Sequence, residues 1–164
     1  TAKFVNSSVH GGGAGGALFV DGTLNLESAT ITTAGPAIIE GPSGVVNTRR
    51  SILGTTSGAV CNAPVNSLGF NVVVGATCGT PAATDVTVAN EAALLLGPVS
   101  TFGTAIISQH RAPDATSPAV DLIPPGPVSS PDCPTEAGQG RSLDAIGTFR
   151  PVGTGCDAGA IEFE

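Results

Sequence analysis

The sequence predicts an all-β chain: a right-handed parallel β-helix (β-solenoid) of about three to four coils, followed by an irregular Pro- and Gly-rich C-terminal cap. Three observations predict it. Gly15 to Thr32 reads as one complete coil, with short apolar segments at Ala17–Val20, Thr23–Leu26 and Ala29–Thr32 separated by Asp21-Gly22 and Glu27-Ser28. Each segment is of strand length and rich in β-branched or aromatic residues, and Leu24 and Leu26 alternate with Thr23 and Asn25, so one face is apolar and the other polar. The unit recurs: Phe4 to Val9, Leu26 to Ile31 and Asn47 to Ile52 align at a spacing of roughly twenty-one or twenty-two residues, within the range of solenoid repeats. Finally, helix is hard to place, because 23 Gly and 13 Pro are scattered through 164 residues and no window sustains apolar spacing at i, i+3, i+4, i+7.

In order along the chain, residues 1 to 80 form the coil stack. One coil cannot bury its own apolar face, so Val9, Leu24, Leu26, Ile31 and Ile52 are the expected stacking core, with Val9, Ile31 and Ile52 as one column. Glycine openings recur at Gly11 to Leu18 and at Gly35 to Ile39, and a looser fourth copy ends at Phe70 to Val74. The rival architecture, an antiparallel sandwich, is disfavoured because hairpin dipeptides of the Asn-Gly type are scarce and the repeat runs in one direction. Thr1 opens partway through a repeat, which suggests a piece of something longer. Ala2, Phe4 and Val5 would then form an exposed edge, met by upstream coils or by another copy stacking head to tail into a filament.

Residues 81 to 164 form the capping module. Its prolines lack the amide donor that a ladder requires, so regular coils end and the segment is expected to cover the last one. Asp85 to Val88 and Ala105 to Ile107 are candidate strands, Asn90 to Leu96 is the one short helical candidate, and Ile123 to Pro127 reads as extended and exposed.

The formal charge is −7, with one lysine and five arginines dispersed along the chain. No basic stripe exists to displace counterions from phosphates, so nucleic acid is disfavoured as a partner. No apolar run is long enough to insert in a membrane as a helix. Four cysteines without a Cys-x-x-Cys pair, and only His10 and His110 beside them, argue against zinc and for an oxidising compartment. Sequence proximity favours Cys61 with Cys78 and Cys133 with Cys156, each bridge closing a loop of some twenty residues and contributing about 3 kcal/mol.

The segment Cys61 to Cys78, with Gly69-Phe70-Asn71 inside it, resembles the last coil of bacterial secreted right-handed β-helix proteins built of polymorphic outer-membrane-protein-like repeats. The segments that follow, Leu95 to Val99, Ser117 to Asp121, Arg150-Pro151 and Cys156 to Glu162, occur in the order of the choice-of-anchor Q-type region that ends many such proteins. The resemblance implies a secreted or cell-surface chain. The chain departs from it at Asp144 to Gly147, where the family commonly carries Asp-Gln-Arg-Gly, and it lacks the Phe-x-x-Asn repeat element.

No catalytic constellation, cofactor site or metal site stands out. Asp21, Glu27, Glu40, Arg49 and Arg50 do not recur at one coil position, as a carbohydrate-active β-helix with paired carboxylates would require. His10 and His110 read as surface histidines, and the glycine run 11–16 lacks the Lys and helix of a phosphate loop. Asn6-Ser7-Ser8 matches a glycosylation sequon, a pattern common by chance. Asp144, Asp157 and Glu162 could converge on calcium, or serve as hydrogen-bond acceptors in loops. The expectation is an extracellular structural or adhesive protein. Its partner would be itself, upstream coils or a surface polysaccharide; the alternative is a carbohydrate-active enzyme or polysaccharide-binding module.

Overall fold

The computed structural model describes residues 1–11, 15–102, 108–126, 133 and 143–163. The chain winds as a parallel β-solenoid of about three turns, each full coil contributing one strand to each of three sheets. Strands β3 (Leu18–Val20), β4 (Thr23–Glu27) and β5 (Thr30–Thr33) make one coil, and β6 (Ile38–Glu40), β7 (Val45–Arg49) and β8 (Ile52–Thr55) the next. A partial coil, β1 (Ala2–Val5) and β2 (Ser8–Gly11), precedes them; β9 (Asn66–Ser67), β10 (Val72–Val74) and β11 (Val86–Val88) follow. The sheets run β1-β4-β7-β9, β2-β5-β8-β10-β11 and β3-β6, with Cys61 adding an isolated parallel bridge to Ile38.

The coil closes tightly because one corner repeats its backbone. Between the first two sheets, Asn6, Ser28, Arg50 and Phe70 all take left-handed conformations, with φ of 46°, 49°, 52° and 57°. A single left-handed residue turns the strand direction in minimal chain length, and Asn tolerates it better than Arg or Phe. Asparagines add a ladder on the outer face: Asn47 Nδ2 donates to Asn25 Oδ1 at 2.8 Å and Asn66 Nδ2 to Asn47 Oδ1 at 3.1 Å.

The core columns differ from the sequence alignment by one residue. Val9 lies opposite Ile31, and Ile31 opposite Leu53 rather than Ile52. Ile52 lies opposite Thr30 and Val72, in the adjacent column that faces out of the solenoid. Side chains alternate along a strand, so a one-residue slip moves a residue to the other face. Ile52 is still buried, but beneath the C-terminal segment: a Cβ at Gly159 would lie 2.7 Å from Ile52 Cδ1. Leu24, Leu26 and Ile31 are buried inside as expected, and Val9 is half-buried.

The C-terminal half covers a flank of the stack rather than its last coil alone. Leu94 packs on Gly54 of β8, Gly159 N–H donates to Arg50 O at 2.7 Å, and Asn6 Nδ2 donates to Leu143 O. This cover buries every residue of β5 and β8, which alternation alone would leave half-exposed. The end of the stack is crossed instead by the chain between β10 and β11, where Cys78 O accepts from Val65 N–H at 3.0 Å and Thr77 Oγ1 from Val60 N–H at 2.9 Å. Cys61–Cys78 staples this crossover, and Cys133–Cys156 ties the cover, with Cα separations of 4.9 and 5.6 Å.

The expected strand at Asp85 to Val88 forms as β11. The helical candidate shrinks to one 3-10 turn, Glu91–Leu94, capped by Asn90 Oδ1 on Ala93 N–H and ended by left-handed Leu95. Ile123 is buried and bridges to Cys156, while Pro124 and Pro125 are exposed. Ala105 to Ile107, Pro127 and residues 12–14 lie outside the described residues. An antiparallel pair not foreseen, β12 (Ser100–Phe102) and β13 (Ser108–His110), reaches back over β2.

Candidate functional site

Three places gather the chain's polar and exposed apolar groups. The first is the face carrying β1 and β3, each at an edge of its sheet. Ala2 and Val5 are exposed and Phe4 is half-buried, as an edge requires. Phe4, Leu18, Val20 and Leu24 line a cleft of about 320 Å³ there, rimmed by Thr1, Asp21 and Thr23, and Phe19 beside it is 72% exposed.

The second is the seam between β2 and the cover, where two histidines read as separate surface residues come together. His10 Nδ1 lies 2.9 Å from Thr32 Oγ1 and His110 Nδ1 lies 2.7 Å from Ser8 Oγ. Burial, then the nearby Arg111 and His110, push His10 down to about 4; burial also lowers His110, against the opposing charge of Asp144. Arg111 is held by Glu91 and by the carbonyls of Gly97 and Leu96, at 2.7 and 3.0 Å. Pairing of the histidines could not be read from sequence, since a hundred residues separate them.

The third is a buried ionic knot in the cover. Arg150, 1% exposed, bridges to Glu162 Oε1 at 2.5 Å and donates to the carbonyls of Asp157 and Gly159 at 2.8 and 2.6 Å. Glu162 also accepts from Asp157 and Val152 N–H at 2.9 and 3.3 Å. Desolvation pushes its carboxyl up to about 7, with Arg150 pulling the other way, and burial likewise raises Asp157. Asp157 accepts from the amides of Asp121 and Phe163, and Asp144 from those of Ile146, Thr148 and Glu162. These three carboxylates, the calcium candidates of the sequence, spend their oxygens on backbone amides and Arg150. No group of three or more metal-ligating side chains occurs among the described residues.

The remaining acidic candidates are dispersed. Asp21 accepts from Ser43 N–H at 3.0 Å, and Glu27 lies 3.0 Å from Lys3 and 3.8 Å from Arg50. Sequence reasoning passed over Asn71, whose signal was its place after Gly69-Phe70. Fully buried, it accepts from Thr48 Oγ1 and Ser51 N–H, both at 3.0 Å, and donates to Thr48 O and Ser67 Oγ. Asp85 Oδ1 accepts from its main-chain N–H at 2.9 Å and from its Nδ2 at 3.1 Å, so this one residue joins two coils to the segment after them. The chain matches no known protein family, no curated protein and no solved structure.

Proposed function

We propose that the chain is a structural or adhesive β-solenoid of a bacterial cell surface, a secreted rigid element whose face at β1 and β3 takes on a further parallel coil. That coil would come from a second copy or from another stretch of polypeptide. The observation that carries this reading is the difference between the two ends of the stack. One is crossed by the disulfide-stapled chain between β10 and β11, while the other presents sheet edges around an apolar cleft. Unpaired edges beside exposed apolar side chains favour strand addition.

Two disulfides support an oxidising, extracellular setting. The order of the Gly69-Phe70-Asn71, Arg150-Pro151 and Cys156 to Glu162 segments supports kinship with bacterial surface β-helices of the choice-of-anchor Q type. Electron microscopy and sedimentation of the purified chain at rising concentration test the self-stacking form. Rods with an axial repeat of a few coils are expected, and Phe4→Lys should abolish them. Dispersed monomers at every concentration, or rods indifferent to Phe4→Lys, would overturn it.

A further inference from the structure

We infer that the seam between β2 and the β12–β13 pair is an acid-sensitive catch: charging of its two histidines lifts β12–β13 off the sheet while the rest of the cover stays docked. The geometry of the rings points to this first. Each imidazole uses Nδ1 on a hydroxyl of the stack, Thr32 for His10 and Ser8 for His110, and each Nε2 is buried with no hydrogen-bond partner among the described residues. A neutral ring can leave Nε2 as a bare acceptor. A charged ring must place an N–H there with nothing to receive it, in surroundings where an unpaired polar group is costly.

The charges facing the rings do not relieve this. Arg111 lies beside His10, and its bridge to Glu91 leaves that carboxylate already engaged. Asp144 faces His110, but it holds the amides of Ile146, Thr148 and Glu162. A cleft of about 310 Å³, bounded by His10, Thr32, Glu91 and Arg111, borders the seam and gives water and protons a way in.

The outer face of the five-stranded sheet also changes character along its length. At β2 and β5 it carries Ser8, His10, Thr30 and Thr32; in the column of Ser8 and Thr30, β8, β10 and β11 carry Ile52, Val72 and Val86, and beside it β10 and β11 carry Val74 and Val88. Polar contacts therefore hold the cover at the histidine end, and apolar packing holds it at the other, where Leu94 is buried on Gly54. Opening begins where water can replace what is lost.

The sign follows from linkage. His10 has a lower pKa closed, about 4, than open, near its ordinary 6.5. Closure is fully favoured above pH 6.5 and weakens as pH falls toward 4, with the opened fraction rising by up to about tenfold per pH unit for each such histidine. Glu162 and Asp157 act in the opposite sense, since burial raises their pKa and acidification favours their packed state.

Amide hydrogen exchange between pH 7 and 4.5, normalised for intrinsic rate, tests the catch in the intact, oxidised chain. Protection at Gly11 of β2 and along β13 should fall at least tenfold, while that at Leu53 and Gly54 of β8 holds. In His10→Asn/His110→Asn the acid response should flatten, and each single variant should retain part of it. Unchanged protection at the seam, a parallel loss at β8, or an undiminished acid response in a folded double variant would overturn the inference.

Discussion

Asn71 concentrates the problem of ending a coil in one side chain. Where β9 meets β10 the backbone turns with Phe70 left-handed, and the polar groups exposed at that corner lie too deep for water. Asn71 supplies both an acceptor and donors there, and Asp85 closes the network from the next strand. A short amide side chain offers an acceptor and two donors at that depth. Asn71→Ala removes several buried bonds at once and strands the Ser51 amide, so a loss of roughly 2–4 kcal/mol is expected. Urea unfolding followed by circular dichroism checks it. The Gly-aromatic-Asn signal was legible in the sequence, but its bonds were not, because Thr48 and Ser51 lie twenty or more residues upstream and Asp85 fourteen downstream.

Among the elements, β8 shows how a periodic pattern can be read correctly and still be placed one residue off. Ser51-Ile52-Leu53 offers adjacent apolar residues, and either could continue the Val9 to Ile31 column. The register pairs Leu53 with Ile31, and the C-terminal segment covers Ile52 from outside. That contact depends on Gly159, which holds φ at +96° and would bring a Cβ within 2.7 Å of both Ile52 Cδ1 and Thr30 Oγ1. Gly159→Ala should therefore cost about 2–4 kcal/mol through backbone strain and overpacking together. Thermal unfolding measures the loss, and faster exchange at the Ala160 amide, which donates to Thr30 Oγ1 at 2.9 Å, would localise it.

For the whole molecule, stability rests on stacked ladders closed at one end and on a cover that makes the five-stranded sheet two-sided. Cys61–Cys78 joins the third coil to the crossover that seals the stack. Replacing both cysteines by serine should lower stability by about 3 kcal/mol. Exchange at Val65 and Gly75, whose amides bond to Cys78 O and Val88 O, should quicken more than at Ile31 or Leu53. Equal loss throughout would mean that the seal and the coils unfold as one unit.

Much of this architecture was already written in the sequence. The repeat near twenty-two residues, the alternation of Leu24 and Leu26 with polar neighbours, and the cysteine spacing are local, and local patterns dictate strands, coil length and the nearer disulfide partners. Tertiary structure alone decided the register at Ile52 and Leu53, the laying of the C-terminal half along a flank, the burial of Arg150 against Glu162, and the meeting of His10 with His110. Each of these depends on contacts between distant stretches of chain, where apolar area, unpaired backbone groups and desolvated charge must be satisfied together.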